Sequence, residues 1–202
     1  MVENQILARG INHPATLQAM LHVPRHAYVP ANLRHQAYDD YPLSIGNQQT
    51  ISQPYIVALM TSLLNLQEGE TILEIGTGSG YQSAILSRLT ARVYSMERIP
   101  ELARRAKIIN DKLGYHNISY LIGDGSLGWP GNLCFDGILV SAGAPAVPQA
   151  LLHQLSATGL LVIPVGDYRR QILQVWQREG PSFSMRESIG VVFVPLRGKQ
   201  GW

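Results

Sequence analysis

The stretch LEIGTGSGY, Leu73 to Tyr81, begins as a short apolar strand and breaks into glycines just before a helical pattern starts. Gly76, Gly78 and Gly80 let the backbone turn tightly and approach a ligand closely, because no Cβ stands in the way. The strand TILEIG therefore feeds the helix GYQSAILSRL through a loop built for close contact.

The same alternation continues outward. RVYSME reads as a strand, IPELARRAKIINDKLG as a helix closed by Gly114, ISYLIG and FDGILVSAG as strands, PQALLHQL as a helix and GLLVIPVG as a strand. RQILQVWQ and GVVFVP read as two last strands, antiparallel to their neighbours. Such a series predicts an α/β fold, a doubly wound and mostly parallel sheet of about seven strands with helices on both faces. Loops at the C-terminal ends of such strands hold ligands where the strand order reverses.

Upstream, Pro54 suits the first turn of a helix whose apolar residues continue to Leu66. ATLQAMLHV has helical spacing, with Leu17, Met20 and Leu21 on one face. VPRHAYVP reads as a loop that tucks Tyr28 into the core. The expected organisation is one domain over 1–202, with 1–51 as a helical and loop appendage that contributes to the site.

Composition bounds the function. The net charge of +2 is too small to argue for nucleic acid. Arg104, Arg105 and Lys107 lie on a helical pattern with Glu101 four residues before Arg105, which reads as a solvated face. Cys134 is the only cysteine, so no intrachain disulfide forms, and its apolar neighbours suggest a buried strand residue. The start MVENQILARG lacks the pattern of a signal peptide, and no apolar run reaches membrane-spanning length. The expectation is a soluble cytoplasmic monomer.

Two cofactor classes compete for the glycine loop. A dinucleotide site favours G-x-G-x-x-G with pyrophosphate at the helix N-terminus. Here the pattern is G-x-G-x-G, and Tyr81 stands where the third glycine is needed. Glu74, inside the strand end, would repel pyrophosphate but suits a cationic amino-acid ligand. The balance favours S-adenosylmethionine, which carries an amino group and a sulfonium. Glu97 ends the second strand, where an acid that grips ribose hydroxyls is expected. Asp124, between Gly123 and Gly125, can turn its carboxylate to an adenine amine, or serve only an Asx-type turn.

Before the first helix of this series stands a polar run, IGNQQTISQPYIVALM, with Asn47, Gln48, Gln49, Thr50 and Ser52 nearly in a row. Taken alone, Ser52 reads as the helix N-cap, worth about 1 kcal/mol. The six histidines are scattered without metal-ligand spacing, and no zinc motif is present, so no metal is expected.

In the same order along nearly the whole chain, VPRHAYVP, YDDYPLSIGNQQTISQPY, LEIGTGSGYQSAIL, GDGSLGW, APAVPQALLHQL, LLVIPVG and VVFVPL resemble the protein-L-isoaspartate O-methyltransferases. The resemblance implies a Rossmann-like methyltransferase fold. It also implies methyl transfer from S-adenosylmethionine to the free carboxylate of isoaspartyl residues in damaged peptides and proteins. The methyl ester then cyclises to a succinimide, whose hydrolysis returns some normal aspartate. By motif, Ser52 becomes the active-site serine. Thr50, Glu74, Gly76, Gly78, Ser79, Gly80, Glu97, Asp124 and Gly125 become cofactor contacts. Ile51, Val194 and Leu196 become substrate contacts. Ser44 and Gln48 depart from the Pro and Gly of many members. The alternatives are a related carboxyl methyltransferase with a dedicated peptide substrate, and a cofactor-binding protein without turnover.

Overall fold

The computed structural model describes residues 1–202. Nine strands form one seven-stranded sheet and a separate two-stranded hairpin, and five α-helices, with five short 3-10 or π turns, complete the fold. In chain order these are α1 (Pro14–His22), the hairpin β1 (Leu43–Gly46) and β2 (Gln49–Ile51), α2 (Pro54–Leu63), β3 (Thr71–Ile75), α3 (Tyr81–Ser87) and β4 (Arg92–Glu97). Then come α4 (Pro100–Lys112), β5 (Ile118–Ile122), β6 (Phe135–Val140), α5 (Gln149–His153), β7 (Leu155–Gly166), β8 (Gln171–Glu179) and β9 (Ser182–Val191).

The sheet order is β5-β4-β3-β6-β7-β8-β9. Strands β3 to β7 run parallel, and β8 and β9 add antiparallel, as expected of the last two strands. The chain leaves β3 toward β4 and β5, then returns to the other side of β3 with β6. The crevice between β3 and β6 is therefore the switch point, where ligands of such sheets bind.

Period-two alternation divides the core. Leu73 and Ile75 of β3 pack with Ile138 and Val140 of β6 and Leu151 of α5 on one face. Ile72 packs with Leu139, Val162 and Met60 of α2 on the other. The N-terminal segment adds a further cluster, in which Tyr28, Ile45 and Val57 meet Tyr81 and Ile85 of α3 and Leu102 of α4. Tyr28 is buried as expected, and its hydroxyl donates to Asn110 Oδ1 at 2.7 Å.

Several local expectations need correction. Leu21 is 61 % exposed; the buried face of α1 is Thr16, Ala19 and Met20, because the chain that α1 packs on lies on that side. Cys134 is exposed, one residue before β6 begins. The last strand is not GVVFVP but Ser182–Val191, an edge strand whose mostly exposed residues hide the apolar signal. Val192 to Leu196 leaves the sheet and crosses toward the switch point, where Pro195 bridges Gly143. Arg105 is not simply solvated: its guanidinium donates to the Ile45 carbonyl at 2.9 Å and ties β1 to α4.

Candidate active site

The polar run forms the β1–β2 hairpin and the entry to α2. Asn47 and Gln48 both adopt positive φ, +52° and +57°, as a two-residue turn of the I′ kind demands. The hairpin pairs Leu43 with Ile51 and Ser44 with Thr50. Alternation then buries Ile51 and leaves Thr50 exposed. Ser52 is half-buried. It is not the N-cap: α2 starts at Pro54, the cap position is Gln53, and no side chain caps the helix. The Ser52 hydroxyl makes no hydrogen bond within the chain, whereas its carbonyl accepts from Arg25.

The glycine loop meets this strip across a cavity of about 690 Å³. That volume is in the range of small-molecule sites. Gly76, Gly78 and Gly80 all take positive φ, at +92°, +52° and +86°. Their reasons differ. A Cβ on Gly80 would stand 2.8 Å from Ala106 Cβ, so this glycine lets α3 and α4 approach, and it does not line the cavity. Gly76 and Gly78 do line it, with Ser79. Glu97, at the end of β4, braces the loop: its carboxylate accepts the N–H of Gly78 and of Ile99, each at 2.9 Å. The same residue lines the cavity.

The rest of the wall comes from distant parts of the chain: Gly125 after β5, Ser141 and Ala142 after β6, and Val194 to Leu196 after β9. Val194 C=O accepts from Gly143 N–H at 2.8 Å, and Leu196 N–H donates to Gly143 C=O at 2.7 Å. These backbone groups hold the crossing segment against the end of β6.

A single cavity thus joins a glycine loop at the switch point to a donor strip with a free serine hydroxyl. Comparison with known proteins agrees. The family model of protein-L-isoaspartate(D-aspartate) O-methyltransferase matches residues 1–201. The chain belongs to this family. Protein-L-isoaspartate O-methyltransferase 1 of Syntrophobacter fumaroxidans is 55% identical over 203 residues, covering 100% of this chain and 94% of that protein. The Syntrophotalea carbinolica protein-L-isoaspartate O-methyltransferase is 50% identical over the same coverage. Among solved structures, a protein-L-isoaspartate O-methyltransferase superposes with a TM-score of 0.89 at 27% identity, over 100% of this chain and 67% of that one. A putative protein-L-isoaspartate O-methyltransferase from Plasmodium falciparum, solved with S-adenosyl-L-homocysteine, gives 0.84 at 25% identity, over 97% and 96% of the two chains.

Against the motif of this methyltransferase family, the structure brings together Thr50, Ile51, Ser52, Gly76, Gly78 and Ser79 on the cavity wall. Glu97, Gly125, Val194 and Leu196 join them there. Glu74 and Asp124 are placed differently. Glu74 is 0 % exposed and is not on the wall. Its Oε2 accepts from the hydroxyls of Ser83 and Ser95, and its Oε1 has no partner. Strand parity turns Glu74 to the face opposite Leu73 and Ile75. Burial pushes its carboxyl up to about 7, against the pull of the two serines. It reaches the wall only indirectly, because Ser95 also meets the hydroxyl of Thr77, a lining residue, at 2.6 Å.

Asp124 is used as an Asx turn and more. Oδ1 accepts the N–H of Ser126 at 3.0 Å and its hydroxyl at 2.6 Å, and Oδ2 accepts the N–H of Lys199 at 2.8 Å. Partial burial works to raise its pKa, but the bonds from Ser126 and Lys199 outweigh it and hold the carboxyl below its usual value. Neighbouring Gly123 and Gly125 line the cavity while Asp124 does not. Sequence reasoning missed Val57 and Met60 of α2, Gln82 of α3 and Arg197 as wall residues. Helical spacing from Val57 to Met60 carried a signal, but nothing in the pattern told a cavity-facing apolar residue from a core one.

Proposed function

We propose that the protein transfers a methyl group from S-adenosylmethionine to the free carboxylate of L-isoaspartyl residues in peptides and proteins. The observation that carries this reading is the shared cavity between the glycine loop and the Thr50–Ser52 strip, in a chain of the isoaspartate methyltransferase family. The cavity residues fit the donor molecule. Gly76 and Gly78 open the wall, Glu97 offers a carboxylate edge for hydroxyls, and Val57, Met60, Ile75 and Met96 give an apolar lining.

When bound, S-adenosylmethionine supplies an electrophilic methyl group on a sulfonium. The acceptor carboxylate is already ionised near neutral pH and needs no general base. The chain therefore would not have to hold or move a proton at the acceptor oxygen. What the chain must supply is aim and exclusion of water. In-line positioning of a bound pair can lower a barrier by roughly 7–11 kcal/mol. Ser52 Oγ, free of partners in the chain, serves as the donor that orients the carboxylate, with Thr50 beside it. Ile51 packs the strip onto the core, and Val194 and Leu196 close the opposite side. Glu74 acts through Ser95 and Thr77 rather than by contact, and Asp124 holds Gly123 and Gly125 in place.

The reading includes one domain over 1–202 and a cytoplasmic monomer. No helix is long and apolar enough to cross a membrane, and the exposed lone thiol of Cys134 suits a reducing compartment. The test is labelled cofactor with a matched pair of peptides, one containing Asp and one isoAsp. Transfer to the isoAsp peptide alone is the expected result. Transfer to neither, with cofactor bound, would overturn the reading.

A further inference from the structure

Arg25 is a buried cation without a counter-ion. It is 0 % exposed. Nε–H donates to the carbonyl of Ala37 and Nη2–H to the carbonyl of Ser52, both at 2.7 Å. Nη1 has no partner. The guanidinium carbon lies 5.0 Å from the centre of the Tyr81 ring. Asp40 is the acid whose charge reaches Arg25. It is already engaged elsewhere: Oδ2 pairs with Arg9 at 2.6 Å and Oδ1 accepts the Tyr55 N–H at 3.2 Å. Burial lowers the guanidinium pKa to about 10, against Tyr81 and Asp40, so the group stays charged at neutral pH.

Unpaired charge in a protein interior is costly, so a group that keeps one points to a compensating interaction. The location says what that is. Of the three groups against which the guanidinium lies, Ser52 and Tyr81 are cavity-wall residues, while Ala37 and Arg25 itself are not. The field of a buried charge is weakly screened, so it is felt on the far side of one peptide group.

We propose that Arg25 is a specificity-determining positioning residue for the methyl acceptor, acting through Ser52 to set an unneutralised positive charge behind the wall that receives the carboxylate. The inference rests on the reading that the acceptor is a carboxylate. A cation in direct contact would form an ion pair that the reaction must break. Set one peptide back, it draws the anion in without holding the reacting oxygen.

The chemistry dictates how this appears in kinetics. A carboxylate oxygen bonds the methyl carbon, the sulfur–carbon bond breaks, and its electron pair stays on sulfur. The acceptor loses its negative charge, so its attraction to Arg25 fades toward the transition state. An interaction stronger in the ground state lowers KM and does not raise kcat.

Full-length Arg25→Gln and Arg25→Lys variants separate this from a merely structural role. Gln keeps a donor and removes the charge; Lys keeps the charge and removes the fork. With an isoaspartyl peptide, Arg25→Gln is expected to raise KM about tenfold, with kcat and S-adenosylhomocysteine affinity each within about threefold of the parent. Arg25→Lys is expected to hold KM within about threefold. An unchanged KM in Arg25→Gln overturns the proposal, as does equal loss of peptide and cofactor affinity in both variants. If Arg25→Gln does not fold, Arg25→Lys alone decides, since a lost KM there rejects the charge as the cause. A parent protein that binds cofactor but leaves the isoaspartyl peptide unmethylated removes the functional reading as well. An active parent whose Arg25→Gln variant keeps the parent KM removes only the Arg25 proposal.

Discussion

The carboxylate of Asp124 accepts the backbone N–H of Lys199 at 2.8 Å, which ties the end of β5 to the last turn of the chain. Gln200 N–H adds a bond to Ser126 Oγ at 3.0 Å, and Trp202 N–H returns to Leu196 C=O at 2.8 Å. Gly123 and Gly125 on one side of the cavity and Leu196 on the other are thus held in one clasp. A Cβ on Gly198 would overlap Asp124 Oδ1. Gly198→Ala is therefore expected to destabilise the protein by about 1–3 kcal/mol and to weaken S-adenosylhomocysteine binding. Thermal melts and calorimetry check this; an unaltered cofactor affinity would show that the clasp does not shape the site.

Ser52→Ala separates catalysis from stability. Had Ser52 capped α2, its loss would cost about 1 kcal/mol. The cap position is Gln53 and the hydroxyl has no partner in the chain. The melting curve should accordingly stay unchanged, while kcat for an isoaspartyl peptide falls on the order of a hundredfold, the scale of one lost orienting donor. A variant that melts earlier but turns over normally would assign Ser52 to the fold instead.

Gln48 carries a backbone conformation that glycine adopts without penalty, φ +57°. A left-handed non-glycine residue costs about 1–2 kcal/mol, and the extra freedom of glycine in the unfolded chain offsets part of this. Gln48→Gly should stabilise by about 1 kcal/mol, raising Tm by about 2–4 °C. A lower Tm would mean that the Gln48 side chain stabilises the turn more than its backbone strains it.

Glu74 makes stability depend on pH. Its folded pKa, about 7, lies above the ordinary 4.5, so the folded state holds the proton more tightly. Stability from this group is complete below pH 4.5, declines as pH rises to about 7 and is flat above it. At about 1.4 kcal/mol per pKa unit, the loss is roughly 3 kcal/mol. Glu74→Gln cannot titrate, so its stability relative to the parent should climb across that window. Denaturant midpoints of the two proteins that run parallel from pH 5 to 8 would reject the buried charge as the cause.

Much of the architecture was legible because it is written in short-range patterns. The apolar alternation of β3 and β6 and the glycines after β3 gave the parallel sheet and its ligand loop. Gly114 closed α4, with φ +84°. Strand β9 was not legible, since an edge strand pairs through its backbone and needs few apolar side chains. The Ser52 cap was misplaced by one residue, a distance at which spacing cannot discriminate.

The sheet, the switch-point loop and the donor-rich strip before α2 are written locally, since each follows from short-range periodicity or from steric freedom at single residues. Which polar groups are free is set instead by long-range contacts in the folded chain. The Ser52 carbonyl accepts from Arg25, 27 residues away, and its hydroxyl stays free. Asp124 is occupied by Lys199, 75 residues away, and Glu74 by Ser83 and Ser95. A carboxylate or hydroxyl has few bonding directions, and whether one remains for a ligand depends on partners that only folding brings within reach.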